Sequence, residues 1–229
     1  MSPEPLPILH LDDDLVAADK PAGLLVHPSA LDAHADGSAL ETLQAQLGQR
    51  LWPLHRLDKG TSGVLLFARH ADAARHWGIA FQEGRIGKRY IALVRGWPAD
   101  AGRIDHPLAR DPEQPSAGQP MLAAVTDYRC LARFEWPFQV DTRHPTSRYA
   151  LVEALPLTGR RHQIRRHFKH IAHPLVGDST HGKGAHNRAV AAWLGHARLW
   201  LHACEVTLPL DGGSHLRIQA PCGPEWPRA

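Results

Sequence analysis

Hydrophobic and polar positions in this chain change period every few residues, as short strands and short helices do. Ile8 to Leu11 and Leu15 to Ala17 read as two strands around a turn. Lys20-Pro21-Ala22-Gly23 then punctuates the chain before a third apolar run, Leu24 to Val26. Residues 38–48 carry Leu40, Leu43 and Leu47 at helical spacing, with Ser38 placed to cap them. Val64 to Ala68 is a continuous apolar strand, residues 70–83 read as a helix, and Lys88 to Val94 alternates with period two. Further strands are expected at 123–134, 148–156, 198–208 and 215–220, and residues 110–121, rich in Pro, Gly, Asp and Gln, at a loop. Many strands with few helices predict an α+β fold with a mixed, mainly antiparallel central sheet flanked by helices and loops. This pattern does not contain the strand order.

A last helix is expected from Thr158, its N-cap, with Gly159 tolerated beside it. Ile164, Phe168 and Ile171 mark the buried face, so Arg166, Lys169 and His162 should point away from the core. Arg165 falls at the border, where a long side chain can present its guanidinium in a cleft.

The 229 residues, 43% hydrophobic and 21% charged, fit one domain with a real core. No apolar run reaches the roughly 18 residues of a membrane span. The N-terminus does not read as a secretory signal. Three scattered cysteines, Cys130, Cys204 and Cys222, argue against a disulfide framework or thiolate zinc site and make the cytoplasm the default compartment. Net charge is only +3, but between Gly159 and Arg188 seven cations face one acid, Asp178. That stretch carries +6 and the remainder −3, and six histidines (162, 167, 170, 173, 181 and 186) lie within it. A face that meets a polyanion and a solvated basic surface both account for such a stretch. His167, His170 and His173 sweep about 120° of helix, with no HExxH or CxxC nearby, so packing and phosphate contacts are favoured over a metal site.

The sharpest local sequence is His55-Arg56-Leu57-Asp58-Lys59-Gly60-Thr61-Ser62-Gly63, running into the strand VLLFA. A carboxylate and two hydroxyls in a glycine-bearing turn before a buried strand suit catalysis. Residue types alone favour a simpler reading, a polar turn in which Asp58 accepts a backbone N–H.

That segment resembles the HRLDxxTSG signature of the RluA superfamily of pseudouridine synthases, whose aspartate is the nucleophile. The family's other segments follow in its order: DKPAGLLVH at 19–27, KRYIALV at 88–94, GRRHQIR at 159–165, HPLVGD at 173–178 and LHA at 201–203. Residues 166–174, 177–182, 186–188 and 144–153 are similar to TruC-type enzymes of that superfamily, which modify a uridine in the T stem of tRNA. The pair Lys59-Gly60 departs from the commoner residues at two positions that vary in the family.

The resemblance implies a single catalytic domain over 1–229, without a leading S4-type RNA-binding domain. It implies Asp58 as nucleophile, with Arg165 beside it and Tyr90 packed on the uracil; Arg56 fills the space left by a flipped nucleotide. It adds His55, Thr61, Arg160, His162, Gln163, Arg166, Lys169 and Leu201 as substrate-binding positions. The expected partner is RNA, tRNA first and large-subunit ribosomal RNA second, acted on by a monomer with neither metal nor cofactor. Two other classes compete. A non-catalytic RNA-binding protein would gain nothing from a carboxylate beside phosphates, and a metal hydrolase would need a ligand set that is not found.

Overall fold

The computed structural model describes residues 4–28 and 37–228. In chain order its elements are β1 (Ile8–Leu11), β2 (Leu15–Lys20), α1 (Ala39–Leu47), β3 (Trp52–Pro53), β4 (Ser62–Ala68), α2 (Ala71–Gln82), β5 (Gly87–Arg95) and β6 (Ala101–Asp105). Then come β7 (Leu108–Ala109), β8 (Met121–Leu122), β9 (Val125–Trp136), β10 (Ser147–Pro156), α3 (Gln163–His170), α4 (Gly184–Leu194), β11 (Leu201–Pro209) and β12 (His215–Gln219). The fold is α+β. The chain divides into two compact units, one of Met1–Gly87 with Ala203–Pro221, the other of Lys88–His202 with Cys222–Ala229. No helix among the described residues is long and apolar enough to cross a membrane.

In the first unit the strands run β1-β2-β4-β11, with β12 on β11 and β3 on β4. The β1–β2, β2–β4, β3–β4 and β11–β12 pairs are antiparallel. Every residue of β4 is buried, which explains its unbroken apolar run. Val64 and Leu66 share a core with Leu15, Trp77 of α2, and Val206 and Ile218 of the last two strands. Ser38 caps helix α1: its hydroxyl accepts the Glu41 N–H and donates to the Glu41 carboxylate. His70 caps α2 by accepting the Ala73 N–H.

In the second unit the order is β5-β10-β9-β6, all three pairings antiparallel. Ala92, Val94, Val152 and Ala154 form the floor on which Ile164 and Phe168 of α3 pack. The predicted apolar face of α3 is therefore the one it buries. Residues 110–120 form the loop of a two-stranded ribbon, β7–β8.

The structure departs from expectation in several places. Helix α3 begins five residues after Thr158, whose hydroxyl instead accepts the Val125 N–H and donates to Gln163. Strand β6 and helix α4 were not anticipated.

Candidate functional site

The turn carrying Asp58 is assembled in the first unit from backbone bonds and one buried cation. Thr61 N–H donates to the Asp58 carbonyl at 2.9 Å and closes the turn. Gly23 N–H donates to the Lys59 carbonyl at 2.8 Å. Lys20, wholly buried at the end of β2, donates from Nζ to the carbonyls of Pro21 (2.8 Å), Leu24 (2.7 Å) and Lys59 (3.1 Å). One ammonium thus ties the Pro21–Leu24 loop to the turn, and two motifs that look separate in sequence become one structure. Leu57 is buried, Asp58 half-buried, and Arg56 and Lys59 are exposed.

Gly63 completes the arrangement. Its φ of +106° lies in the left-handed half of the map, and a Cβ there would stand 2.2 Å from the Ala203 carbonyl oxygen. The glycine of the TSG triplet and the alanine of LHA are therefore one close approach of β4 to β11. Two residues expected at the substrate have structural bonds. Thr61 is 2% exposed. His55 accepts the Leu66 N–H on Nε2 at 3.1 Å and stacks on Phe81. An accepting Nε2 puts the neutral ring's hydrogen on Nδ1.

In the second unit the GRRHQIR segment is braced by its own glutamine. Gln163 is buried, with Oε1 accepting from Thr158 Oγ1 (2.7 Å) and Arg160 N–H (2.9 Å). Its Nε2 donates to the Val125 carbonyl and Thr126 Oγ1, both at 3.0 Å. All four hydrogen-bonding positions of the amide are used, so Gln163 is a brace rather than the expected RNA contact. Leu201 likewise lies in the core with Ile164 and Phe168.

Arg165 departs from its expected border position: it is buried and makes a two-pronged pair with Asp178, Nε to Oδ2 and Nη2 to Oδ1, both 2.8 Å. Asp178 Oδ1 also accepts the N–H groups of Thr180 (2.9 Å) and His181 (2.8 Å). Burial opposes the charge on Asp178, but the guanidinium and these N–H groups outweigh it and hold its carboxyl below the usual range.

His162 does not simply point outward. It is half-buried, occupies the N-cap of α3 in a left-handed conformation (φ 54°, ψ 27°), and makes no capping side-chain bond. For a non-glycine residue that conformation costs on the order of 1–2 kcal/mol. Its Nδ1 instead lies 3.1 Å from Nε2 of His181.

Most of the basic stretch is committed within the protein. Arg161 pairs with Asp111 (3.4 Å) and Glu113 of the β7–β8 loop. Arg160 Nε donates to the Ala123 carbonyl at 3.0 Å. Arg166, expected on the outer face, is half-buried and donates to the Ala109 carbonyl at 2.8 Å; burial lowers its pKa. Lys169 is exposed, as its helical position predicts.

The histidines diverge. His167 is fully buried, bonded to Thr126 Oγ1 and the His106 carbonyl, and burial pushes its pKa down. His170 stacks on His106 at 3.7 Å, and His173 bonds the Arg95 carbonyl. Each of the three thus has a structural partner of its own. Tyr90 sits on β5 opposite Ala154, at the edge of the core. Two positions along the strand, and so on the same face, burial lowers the pKa of Lys88.

Lys20, Asp178 and His181 join the braces of these segments without standing among the residues the motifs single out. A lone acid among seven cations was the available signal for Asp178. Nothing local marked Lys20 or His181 as a brace.

Residues 14–170 match the RNA pseudouridylate synthase family. The tRNA pseudouridine synthase C of Pasteurella multocida is 44% identical over 86% of this chain and 83% of its own length. The protein of the same name in Salmonella typhimurium is 43% identical over 98% and 88%. Among solved structures, human RNA pseudouridylate synthase domain containing 1 superposes with a TM-score of 0.75 at 25% identity, over 97% of this chain and 86% of its own. Human RNA pseudouridylate synthase domain containing 4 follows with a TM-score of 0.70 at 26% identity, covering 95% and 89%. With a match spanning the Asp58 turn and the GRRHQIR segment alike, the chain belongs to the RNA pseudouridylate synthase family.

Proposed function

We propose that this pseudouridine synthase converts a uridine of tRNA, in the T stem at position 65, to pseudouridine, with Asp58 as its nucleophile. The observation that carries the tRNA assignment is the likeness, over most of both chains, to relatives named tRNA pseudouridine synthase C. The T-stem position rests on the TruC-type resemblance of residues 144–153, 166–174, 177–182 and 186–188.

The chemistry is an isomerisation. The bond from ribose C1′ to N1 of uracil breaks, the base turns, and C1′ bonds to C5. The proton lost from C5 is balanced by one gained at N1. No electrons or groups pass to another molecule, so the reaction as written calls for neither metal nor cofactor. A stacked base must first leave the helix. An ionised carboxylate then supplies the nucleophile. Asp58 suits that role: its turn is fixed by the Thr61, Gly23 and Lys20 bonds, while the residue itself is half-exposed.

In this reading Arg165 is a further catalytic residue, Tyr90 the ring that packs on uracil, and Arg56 the filler for the vacated stack. His162, Arg160 and Lys169 contact the backbone of the RNA. The protein acts as a cytoplasmic monomer.

The test is pseudouridine mapping of total RNA from a strain lacking the gene, beside the purified protein acting on a tRNA transcript. Loss of one T-stem pseudouridine, restored in vitro, supports the proposal. Intact tRNA with a missing ribosomal pseudouridine would overturn the tRNA assignment.

A further inference from the structure

We propose that His181 is a positioning residue, holding the ring of His162 in one orientation and hydrogen-bonding state for the RNA substrate. The inference rests on the RNA-substrate reading above and deepens it, because neither the motif resemblance nor the comparisons assign a role to His181.

Three observations carry it. First, His162 holds a strained left-handed backbone at the N-cap of α3, yet its side chain does not cap the helix. Such strain persists where surrounding structure over-determines it. Second, the bond that does occupy Nδ1 goes to His181: Nδ1 to Nε2 is 3.1 Å, with the rings edge-on at 72°. Third, His181 is itself held hard. It is 8% exposed and follows Asp178 in a tight turn, where Oδ1 of Asp178 accepts its N–H. Gly182 closes that turn, and a Cβ there would stand 2.3 Å from the Asp178 carbonyl oxygen.

The same turn therefore braces two side chains of the GRRHQIR segment, Arg165 through the Asp178 carboxylate and His162 through the His181 imidazole. Asp178, Arg165, His162 and Lys169 are the charged and titratable groups around His181. Burial outweighs the attraction of Asp178 and leaves His181 with a pKa of about 4, so it stays neutral through the physiological range. A neutral ring lets the pair share one hydrogen between Nδ1 of His162 and Nε2 of His181. Where His181 donates it, neutral His162 carries its own hydrogen on Nε2, the form that can donate to a phosphate oxygen.

The experiment joins nitrogen NMR of the histidine rings to a binding cycle with an unmodified tRNA transcript. In the wild type the His162 ring nitrogens should report one dominant hydrogen-bonded form near neutral pH. In His181→Leu they should move to the exchange-averaged values of an ordinary histidine. His181→Leu should weaken tRNA binding by about fivefold to tenfold, the scale of one polar contact. His181→Gln, which can still bond Nδ1, should recover most of that loss. In a His162→Ala background, His181→Leu should change affinity no further.

Unchanged His162 shifts in His181→Leu, or full additive losses in the double variant, would overturn the proposal. An additive cycle in a protein that modifies tRNA sinks this inference alone. A wild type that leaves tRNA unmodified sinks the functional reading on which it rests.

Discussion

The Asp58 turn and the GRRHQIR segment are both built around buried cations, but they hold them differently. Lys20 donates to three backbone carbonyls, so it fixes the path of the chain. Arg165 is bound by a side chain, Asp178, which is in turn bound by the N–H groups of its own turn. The first arrangement clamps main chain; the second is a network of side chains, each depending on the next. The contrast also corrects the charge argument. Seven cations in one stretch suggest a bare basic face, yet Arg161, Arg165 and Arg166 are engaged internally and Arg160 is anchored to a carbonyl. Composition counts charge; only structure shows how much of it is left for a partner.

The largest effects should come from the first region. Asp58→Asn keeps shape and size but leaves a neutral amide in place of the proposed nucleophile. Pseudouridine formation should fall by on the order of a thousandfold or more. Melting and tRNA affinity should stay near wild type, because the turn is held by backbone bonds that asparagine preserves. Near-normal turnover in a folded, tRNA-binding variant would reduce Asp58 to a turn residue.

Lys20→Met separates the two designs. The thioether fills the space but donates nothing, and the turn loses the donor on which three carbonyls converge. Stability should drop by about 3 kcal/mol, roughly 10 °C in melting temperature. An unchanged melting curve would mean the clamp is dispensable.

How much of this was legible in the sequence follows from what each signal depends on. Strand β4 and the apolar face of α3 announce themselves by period, and Ser38 marks the start of α1. Helix α4 was hidden because Lys183 offers no capping bond and only Val190 of the helix is buried. The start of α3 was misplaced because Thr158 has the right chemistry for a cap but spends its hydroxyl on Val125 and Gln163. At the candidate site, motif spacing singled out Asp58 and the GRRHQIR segment. It could not show that Gln163 is a brace, since an amide that binds RNA and one that binds Thr126 look alike in sequence. The same holds for Lys20 and His181, whose meaning lies in partners distant along the chain.

The side-chain network of the second region should also be the pH-sensitive one. His181 has a pKa of about 4 in the folded protein against an ordinary 6.5. The unfolded chain therefore takes up a proton that the folded chain refuses. Stability is full above pH 6.5 and declines as pH falls toward 4, by at most about 3 kcal/mol from this group. His167 and His186, also lowered by burial, act in the same direction. Asp178, lowered from 3.8, follows: its contribution is present above that value and lost below it. In urea melts, His181→Gln should flatten the dependence between pH 6.5 and 4. An equally steep curve would assign the acid sensitivity elsewhere.

The smallest effect is expected at Ala172, and its contrast with Gly63 shows why. Gly63 and Ala172 both have positive φ, +106° and 64°. At Gly63 the requirement is absolute, because a Cβ would collide with the Ala203 carbonyl. Gly63→Ala should therefore disrupt the pairing of β4 with β11 and leave little folded protein. Ala172 ends α3, where the His173 N–H bonds back to the Phe168 carbonyl at 2.8 Å, and glycine is the usual residue at such a left-handed helix end. Its methyl makes the left-handed conformation cost about 1 kcal/mol or somewhat more. Ala172→Gly removes that strain but adds freedom to the unfolded chain, which returns about 0.4–1 kcal/mol. The net gain should be on the order of 0.5 kcal/mol, a rise of about 1–2 °C in melting temperature. The sign matters more than the size. A stabilised variant would show that the end of α3 carries strain the network tolerates, whereas a destabilised one would mean the alanine methyl makes a packing contact worth more than the backbone strain.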